Sequence, residues 1–420
     1  MGNDASKKLE NDIVIKWKKD QNQSPFVARE GQTVAVCKSD MYIFGGVVFM
    51  KDMHDEIGRD TETNDLLVYN VVTSKWYKEE PESGWPSQRS GACMASVDDC
   101  LFLFGGLNQH SGWMNDMFVF NTSTKKWREL KAPNCPSPRD KALAISVGSQ
   151  IYLFGGFGPV NEDEILPAGN PLPDDSEGDS SEYEDVADDE VQVMRGQNGA
   201  NFTWSNQLFV FDTEKETWSL IKPCGTDLPS PRAAHCLEYI KDKAGNGWLV
   251  VFGGRDCESR QNDMWKYSLE ENKWTCCQCY GCPPQPRSFH ASAAVGSRLI
   301  IHGGRGVNNQ HFDDFNIFDI DTNQWLQPAI CDELPSPPSM GLHSMCFIND
   351  FIILFGGSSD LDPATGTCTT FYNELYRIRA EDVETGGALQ CIEKEESGSM
   401  PDALNLKANQ NIESSHKVLQ

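Results

Sequence analysis

Cys100-Leu101-Phe102-Leu103-Phe104-Gly105-Gly106, followed by Asn115-Asp116, Met117-Phe118-Val119-Phe120-Asn121 and Trp127, decides the fold. An apolar run ends in a glycine pair, an Asn-Asp step follows, and an alternating strand leads to a tryptophan. The beat recurs at Phe44-Gly45-Gly46, Phe154-Gly155-Gly156, Phe252-Gly253-Gly254, His302-Gly303-Gly304 and Phe355-Gly356-Gly357. β-Branched and aromatic residues at period two argue for strands. Self-similarity at a fixed spacing of roughly 50 to 60 residues, with one gap about twice as long, argues for a repeat architecture.

Each unit opens with Pro-x-Pro-Arg or a relative: Pro136-Ser137-Pro138-Arg139, Pro229-Ser230-Pro231-Arg232 and Pro284-Gln285-Pro286-Arg287. Asn64-Asp65 and Asn262-Asp263 repeat the step after the glycines, and Trp76, Trp218, Trp274 and Trp325 match Trp127. Glycine pairs permit positive φ where strands crowd an axis, and the tryptophans fill the space between neighbouring sheets. The pattern resembles the kelch family. The resemblance implies an all-β, six-bladed kelch β-propeller over residues 12–395, with 1–11 as a flexible N-terminus and 396–420 as a disordered tail. The last unit departs from the pattern: Met340 replaces the opening arginine, and no tryptophan follows Tyr376. Two segments compete to complete the last blade, the strand Ile13-Val14-Ile15-Lys16-Trp17 and the stretch Ala388 to Lys394.

The 420 residues carry a net charge of −26, which disfavours a nucleic-acid backbone as partner. Asn161 to Glu190 contributes thirteen acidic residues and no lysine or arginine. It reads as a disordered acidic loop inserted in blade three over residues 159–200, with Ser176, Ser180 and Ser181 as candidate phosphorylation sites. The fifteen cysteines show no disulfide spacing and read as free thiols of a cytoplasmic or nuclear protein. Met1-Gly2-Asn3-Asp4-Ala5-Ser6 fits the N-myristoylation pattern, making Gly2 a lipidation candidate. One acyl chain gives only marginal membrane binding, helped by the lysines at 7, 8, 16, 18 and 19.

No cofactor or metal is expected. Cys276, Cys277, Cys279 and Cys282 cluster, but no second ligand pair follows at zinc spacing. His235, His290 and His343 each fall three residues after the opening position, and such repetition points to a structural role. Some kelch propellers resemble copper radical oxidases or iron-dependent specifier proteins, yet no Glu-x-x-x-Asp-x-x-x-His, nucleophile elbow or P-loop occurs here. The reading is therefore non-enzymatic.

The residue after each glycine pair occupies an equivalent place in every blade: Val47, Leu107, Phe157, Arg255, Arg305 and Ser358. The two residues after the opening arginine form inner rings, Glu30, Ser90, Asp140, Ala233, Ser288 and Gly341, then Gly31, Gly91, Lys141, Ala234, Phe289 and Leu342. Lys141, Ser288, Phe289, Arg255 and Arg260 should therefore gather at one mouth of the channel. Arginine forks match carboxylates bidentately. The alternative is that Arg255 pairs with Asp256 or Asp263, and Arg260 with Glu258, as surface ion pairs of little worth.

Pro136 to Gly158, Pro229 to His235, and Phe252 to Arg255 with Arg260 resemble more closely the kelch substrate receptors of cullin–RING ubiquitin ligases that read C-terminal glycine degrons. In that family two arginines and a serine hold the terminal carboxylate of a Gly-Gly tail. The resemblance places these on Arg255, Arg260 and Ser288, a pocket lysine on Lys141, and a wall tryptophan on Trp204. Phe157 and Phe289 stand where the family has a tyrosine and a tryptophan. The function implied is recognition of glycine-ending C-terminal tails by a substrate-recognition subunit for ubiquitin-dependent degradation. The elongin–cullin docking helix is not evident in Ala388-Leu389-Gln390-Cys391-Ile392-Glu393. The second reading is a general kelch interaction scaffold, membrane-tethered through an N-myristoyl group.

Overall fold

The computed structural model describes residues 13–50, 59–80, 84–160, 194–195, 201–331 and 333–384. Gly2, the phosphorylation candidates, the stretch Ala388 to Lys394 and the tail 396–420 lie outside the described residues.

Six four-stranded antiparallel sheets form among the described residues. From the inner strand outward, blade one is Thr33–Cys37, Asp40–Phe44, Leu66–Asn70 and Lys75–Glu79. Blade two is Cys93–Val97, Cys100–Phe104, Met117–Asn121 and Lys126–Leu130. Blade three is Leu143–Val147, Gln150–Phe154, Leu208–Asp212 and Thr217–Ile221. Blade four is Cys236–Lys241, Gly247–Phe252, Met264–Ser268 and Lys273–Cys276. Blade five is Ala291–Val295, Arg298–His302, Phe315–Asp319 and Gln324–Leu326. Blade six takes Ser344–Ile348, Phe351–Phe355 and Leu375–Arg379 from the C-terminal side and Lys18–Lys19 from the N-terminal side.

The chain thus closes its ring with N-terminal residues. Lys18 pairs with Arg377 and Lys19 with Tyr376. The neighbouring Val14–Ile15, which the sequence offers as the closing strand, instead runs parallel to Ala329–Ile330 beyond blade five. Each inner strand touches the inner strands of the blades on either side, and blade six returns to blade one.

The second strand of each blade is apolar along most of its length because both faces are buried. In blade two, Leu101 and Leu103 pack toward blade one, while Phe102 and Phe104 pack toward blade three. Period-two alternation therefore serves two cores at once. The outer tryptophans complete these inter-blade cores. Trp127 meets Phe44 at 5.6 Å, Trp218 meets Phe104 at 5.4 Å, Trp274 meets Phe154 at 5.1 Å and Trp325 meets Phe252 at 4.9 Å between ring centroids.

The repeat signature is a set of backbone fasteners. The second glycine of each pair donates its N–H to the carbonyl of the next blade's opening residue, from Gly46 to Arg89 at 2.9 Å round to Gly357 to Arg29 at 2.8 Å. A Cβ on Gly45 would stand 2.5 Å from the Arg89 carbonyl oxygen, so only glycine allows the approach. Each opening arginine is buried and donates to the first glycine's carbonyl of its own blade, as Arg232 does to Gly253 at 3.0 Å. Arg89, Arg232 and Arg287 also fork onto Asp116, Asp263 and Asp314. The asparagine of the Asn-Asp step staples one blade to the next: Asn64 donates to the Pro86 carbonyl, Asn115 to Pro136 and Asn262 to Pro284.

Around the axis runs a closed circle of six hydrogen bonds: Gly31 to Leu342, Gly91 to Gly31, Lys141 to Gly91, Ala234 to Lys141, Phe289 to Ala234 and Leu342 to Phe289, each N–H to carbonyl, at 2.8 to 3.0 Å. All six residues have φ between 54° and 63°. Four of them carry side chains, and left-handed backbone costs about 1–2 kcal/mol for each. The circle offsets this strain by satisfying donors and acceptors that would otherwise be stranded at the axis.

The acidic insertion leaves blade three between Phe157–Val160 and Asn201–Trp204, which pair with each other. Pro159 and Val160, placed in the loop by the sequence, are strand residues instead. Among the described residues, one cysteine departs from the free-thiol expectation: Cys282 is disulfide-bonded, while Cys276, Cys277 and Cys279 are free.

Candidate functional site at the channel mouth

The inner rings lie at one end of the axis, because each residue after a glycine pair bridges the residue after an opening position. Ala233 bridges Arg255, Ser288 bridges Arg305, Asp140 bridges Phe157 and Gly341 bridges Ser358. Blade position then decides chemistry. Blades four and five present arginines, and blades two and three present aromatic rings.

Arg255 and Arg260 stand opposite each other in a short turn, joined by an antiparallel bridge. Asp256 closes that turn by accepting the N–H groups of Glu258 and Ser259. Arg255 is exposed and Arg260 half-buried. Arg260 donates Nε to Ser288 Oγ at 2.9 Å and Nη2 to Asn309 Oδ1 at 2.9 Å. Burial, reinforced by the positive charges of Arg255 and Arg305, pulls the Arg260 guanidinium down to about 10. The surface ion pairs weighed from the sequence do not form. Asp263 is occupied by Arg232, and neither Arg255 nor Arg260 pairs with a carboxylate among the described residues.

Ser288 is fully buried. Its hydroxyl sits under Arg260 and fixes the direction of that guanidinium. Lys141 pairs with the buried carboxylate of Asp140, which also accepts the indole N–H of Trp113 at 3.0 Å. Phe289 lies under the Arg305 guanidinium, 5.2 Å from its ring centroid. Phe157 and Trp204 face each other across their strand pair with centroids 4.8 Å apart.

Three residues join this mouth that the sequence reading left out of the site. Arg305 stands on the ring of residues that follow the glycine pairs. Trp113, on the Leu107–Asn108 and Gly112–Trp113 hairpin of blade two, meets Phe157 at 5.9 Å and Phe202 at 4.9 Å. With Phe202 it extends the aromatic wall. The signal for Arg305 was present, since it is the blade-five equivalent of Arg255. Trp113 follows a hairpin of irregular length, which the repeat does not index.

The mouth is thus bipolar, with guanidiniums on one side and indole and phenyl faces on the other. Such a site can take an anion at one end of a chain and apolar or backbone groups beside it. The buried histidines do not contribute. His235 and His290 carry ring nitrogens without hydrogen-bond partners, deep between blades.

The KLHDC2/KLHL20/DRC7 Kelch-repeats domain matches residues 14–166 and 185–384. The chain is similar to Kelch domain-containing protein 1 of Mus musculus, 28% identical over 90% of this chain and 88% of the relative. It is similar to Kelch domain-containing protein 2 of Bos taurus, 28% identical over 63% of this chain and 60% of the relative. It also resembles Host cell factor 2 of Homo sapiens, 26% identical over 71% of this chain and 35% of that longer protein.

Proposed function

The chain belongs to the KLHDC2/KLHL20/DRC7 kelch-repeat family, a protein-interaction fold, and we propose that its channel mouth binds the C-terminal tail of a partner protein. The observation that carries this is the Arg255–Arg260 pair: two neighbouring guanidiniums, one partly desolvated, with no carboxylate of the chain on either among the described residues. Leaving the half-buried Arg260 charge without an anion is costly unless a ligand supplies one. A terminal carboxylate matches the arginine fork, and each charge-assisted hydrogen bond contributes roughly 1.5 to 3 kcal/mol. Lys141 and the wall of Phe157, Trp204 and Phe289 flank the residues preceding that carboxylate.

A terminal glycine is the ending that the likeness to C-terminal glycine-degron receptors favours, through Arg255, Arg260 and Ser288. On the same ground the protein serves as a substrate-recognition subunit for ubiquitin-dependent degradation. The elongin–cullin contact would then be made by residues outside the described set or by another subunit.

The test is selection from a pooled library of peptides with free C-termini, using the full chain. Enrichment of glycine-ending peptides, absent from an amidated copy of the pool, supports the reading. Equal recovery from both pools sinks it.

A further inference from the structure

A single carboxylate accounts for two arginines, and this mouth has three. Arg305 is the blade-five counterpart of Arg255, the first residue after its glycine pair, and it pairs along the backbone with Ser288. Ser288 holds Arg260 through its side chain, and the positive charge of Arg305 reaches the Arg260 guanidinium. The partners of Arg305 are neutral or nearly so. Its Nε faces His311 Nε2 at 3.4 Å, its Nη2 faces Cys368 Sγ at 3.3 Å, and its plane covers Phe289. Burial and the charge of Arg305 hold His311 down to about 4, so His311 is uncharged at neutral pH. Glu30 lies within the field of Arg305 but is half-buried and takes its hydrogen bond from Ser358. Among the described residues no carboxylate forms an ion pair with Arg305, although the chain as a whole is strongly acidic.

We propose that Arg305 is a specificity-determining residue that reads a second negative charge on the ligand, an Asp or Glu side chain within the last three residues of the bound tail. The inference rests on the tail-binding reading and narrows its substrate class to acidic C-terminal tails. Stacking on Phe289 fixes the plane of the guanidinium, and the weak His311 and Cys368 contacts leave it donor capacity along its edge. His311 and Cys368 keep Arg305 in place without neutralising it. A tail with one charge would leave three converging cations incompletely matched, and a second carboxylate completes the match.

The experiment compares equal-length peptides ending Asp-Gly, Asn-Gly and Gly-Gly, and the amidated form of the last, by fluorescence polarisation with the full chain. Asp-Gly should bind about tenfold more tightly than its neutral isostere Asn-Gly, the return expected for one charge-assisted contact. Arg305→Gln should erase that preference, so that Asp-Gly and Asn-Gly bind alike, and Arg305→Lys should retain part of it. Thermal unfolding of both variants separates a lost contact from a lost fold. If Gly-Gly binds only as the free acid but Asp-Gly and Asn-Gly bind alike, tail binding stands and the role of Arg305 is wrong. A preference that survives Arg305→Gln also overturns that role. If no free-acid peptide binds, both readings fall.

Discussion

Trp17 lies edge-on to His302, with ring centroids 5.8 Å apart and planes 78° from each other. In four other blades a tryptophan meets the aromatic residue before the previous blade's glycine pair, and Trp76 does the same with Phe355 at 5.1 Å. Trp17 therefore supplies the missing sixth tryptophan, from the opposite end of the chain. It also touches Phe315 and Tyr376, tying blade five to blade six. Trp17→Ala should remove about 3–5 kcal/mol of stability, the cost of deleting a buried large aromatic. Urea titration followed by circular dichroism reads this directly. A loss below about 1 kcal/mol would mean the ring closes without it.

The opening arginines predict a second loss. Arg232 is fully buried and carries the Gly253 carbonyl and both oxygens of Asp263. Arg232→Met leaves the Gly253 carbonyl unmatched and Asp263 with only the Trp265 indole N–H, and should cost about 3–5 kcal/mol. Met340 occupies the same position in blade six. Met340→Arg should therefore not stabilise the protein, because its pocket was built for a thioether. Chemical denaturation of the two variants checks both statements.

Buried histidines make stability depend on pH. Burial pushes His290 and His302 from 6.5 down to about 3 and drives His235 and His343 well below 6.5. The unfolded chain takes up protons at these sites below about pH 6.5 while the folded chain does not, so stability is fully present above that pH and falls as pH drops toward about 3. Glu238 acts in the opposite sense. Its half-buried carboxyl, held by Ser292, is pushed up to about 7 by desolvation, so its contribution is present below pH 4.5 and lost as pH rises through 7. Four histidines outweigh one glutamate, and the urea midpoint should drop between pH 6.5 and pH 4.5. His290→Gln should flatten that slope, and an unchanged slope would contradict the assignment.

The clamp residues should separate by role. Arg255→Ala and Arg260→Ala each remove a contact to the terminal carboxylate and should weaken tail binding by about 2–5 kcal/mol, seen mainly in dissociation rate. Ser288→Ala leaves the Arg260 guanidinium in place but unsteered, so its loss should be smaller. Trp204→Ala should weaken tails with apolar upstream residues more than glycine-rich ones. Biolayer interferometry on a peptide panel distinguishes these patterns, and equal losses for all four variants would contradict the division of labour.

Much of the architecture was legible because the motif residues answer backbone needs. A second glycine that must approach the next blade's carbonyl, an arginine that must cap the first glycine, and an asparagine that must staple a proline carbonyl all leave fixed spacings in the sequence. Lys18–Lys19 left none, since a two-residue strand of lysines has no apolar period, and the eye goes instead to Val14 and Ile15. At the mouth, ring position located Arg255, Arg260, Ser288, Lys141 and Phe289. It did not reveal that Ser288 turns inward or that Arg305 lacks a carboxylate partner among the described residues, because partner choice depends on side-chain direction. Trp113 and Phe202 sit on hairpins whose lengths vary from blade to blade, outside the reach of the repeat.

The central claim is carboxylate capture between Arg255 and Arg260. The most direct measurement is the affinity of one short Gly-Gly peptide with a free C-terminus against its C-terminally amidated twin, on the full chain. Capture of the terminus by the two arginines requires binding at about 1 μM or tighter for the acid, near −8.2 kcal/mol, and at least a hundredfold loss on amidation. Equal affinity for the two peptides would show that the arginines do not hold the terminus and would contradict it.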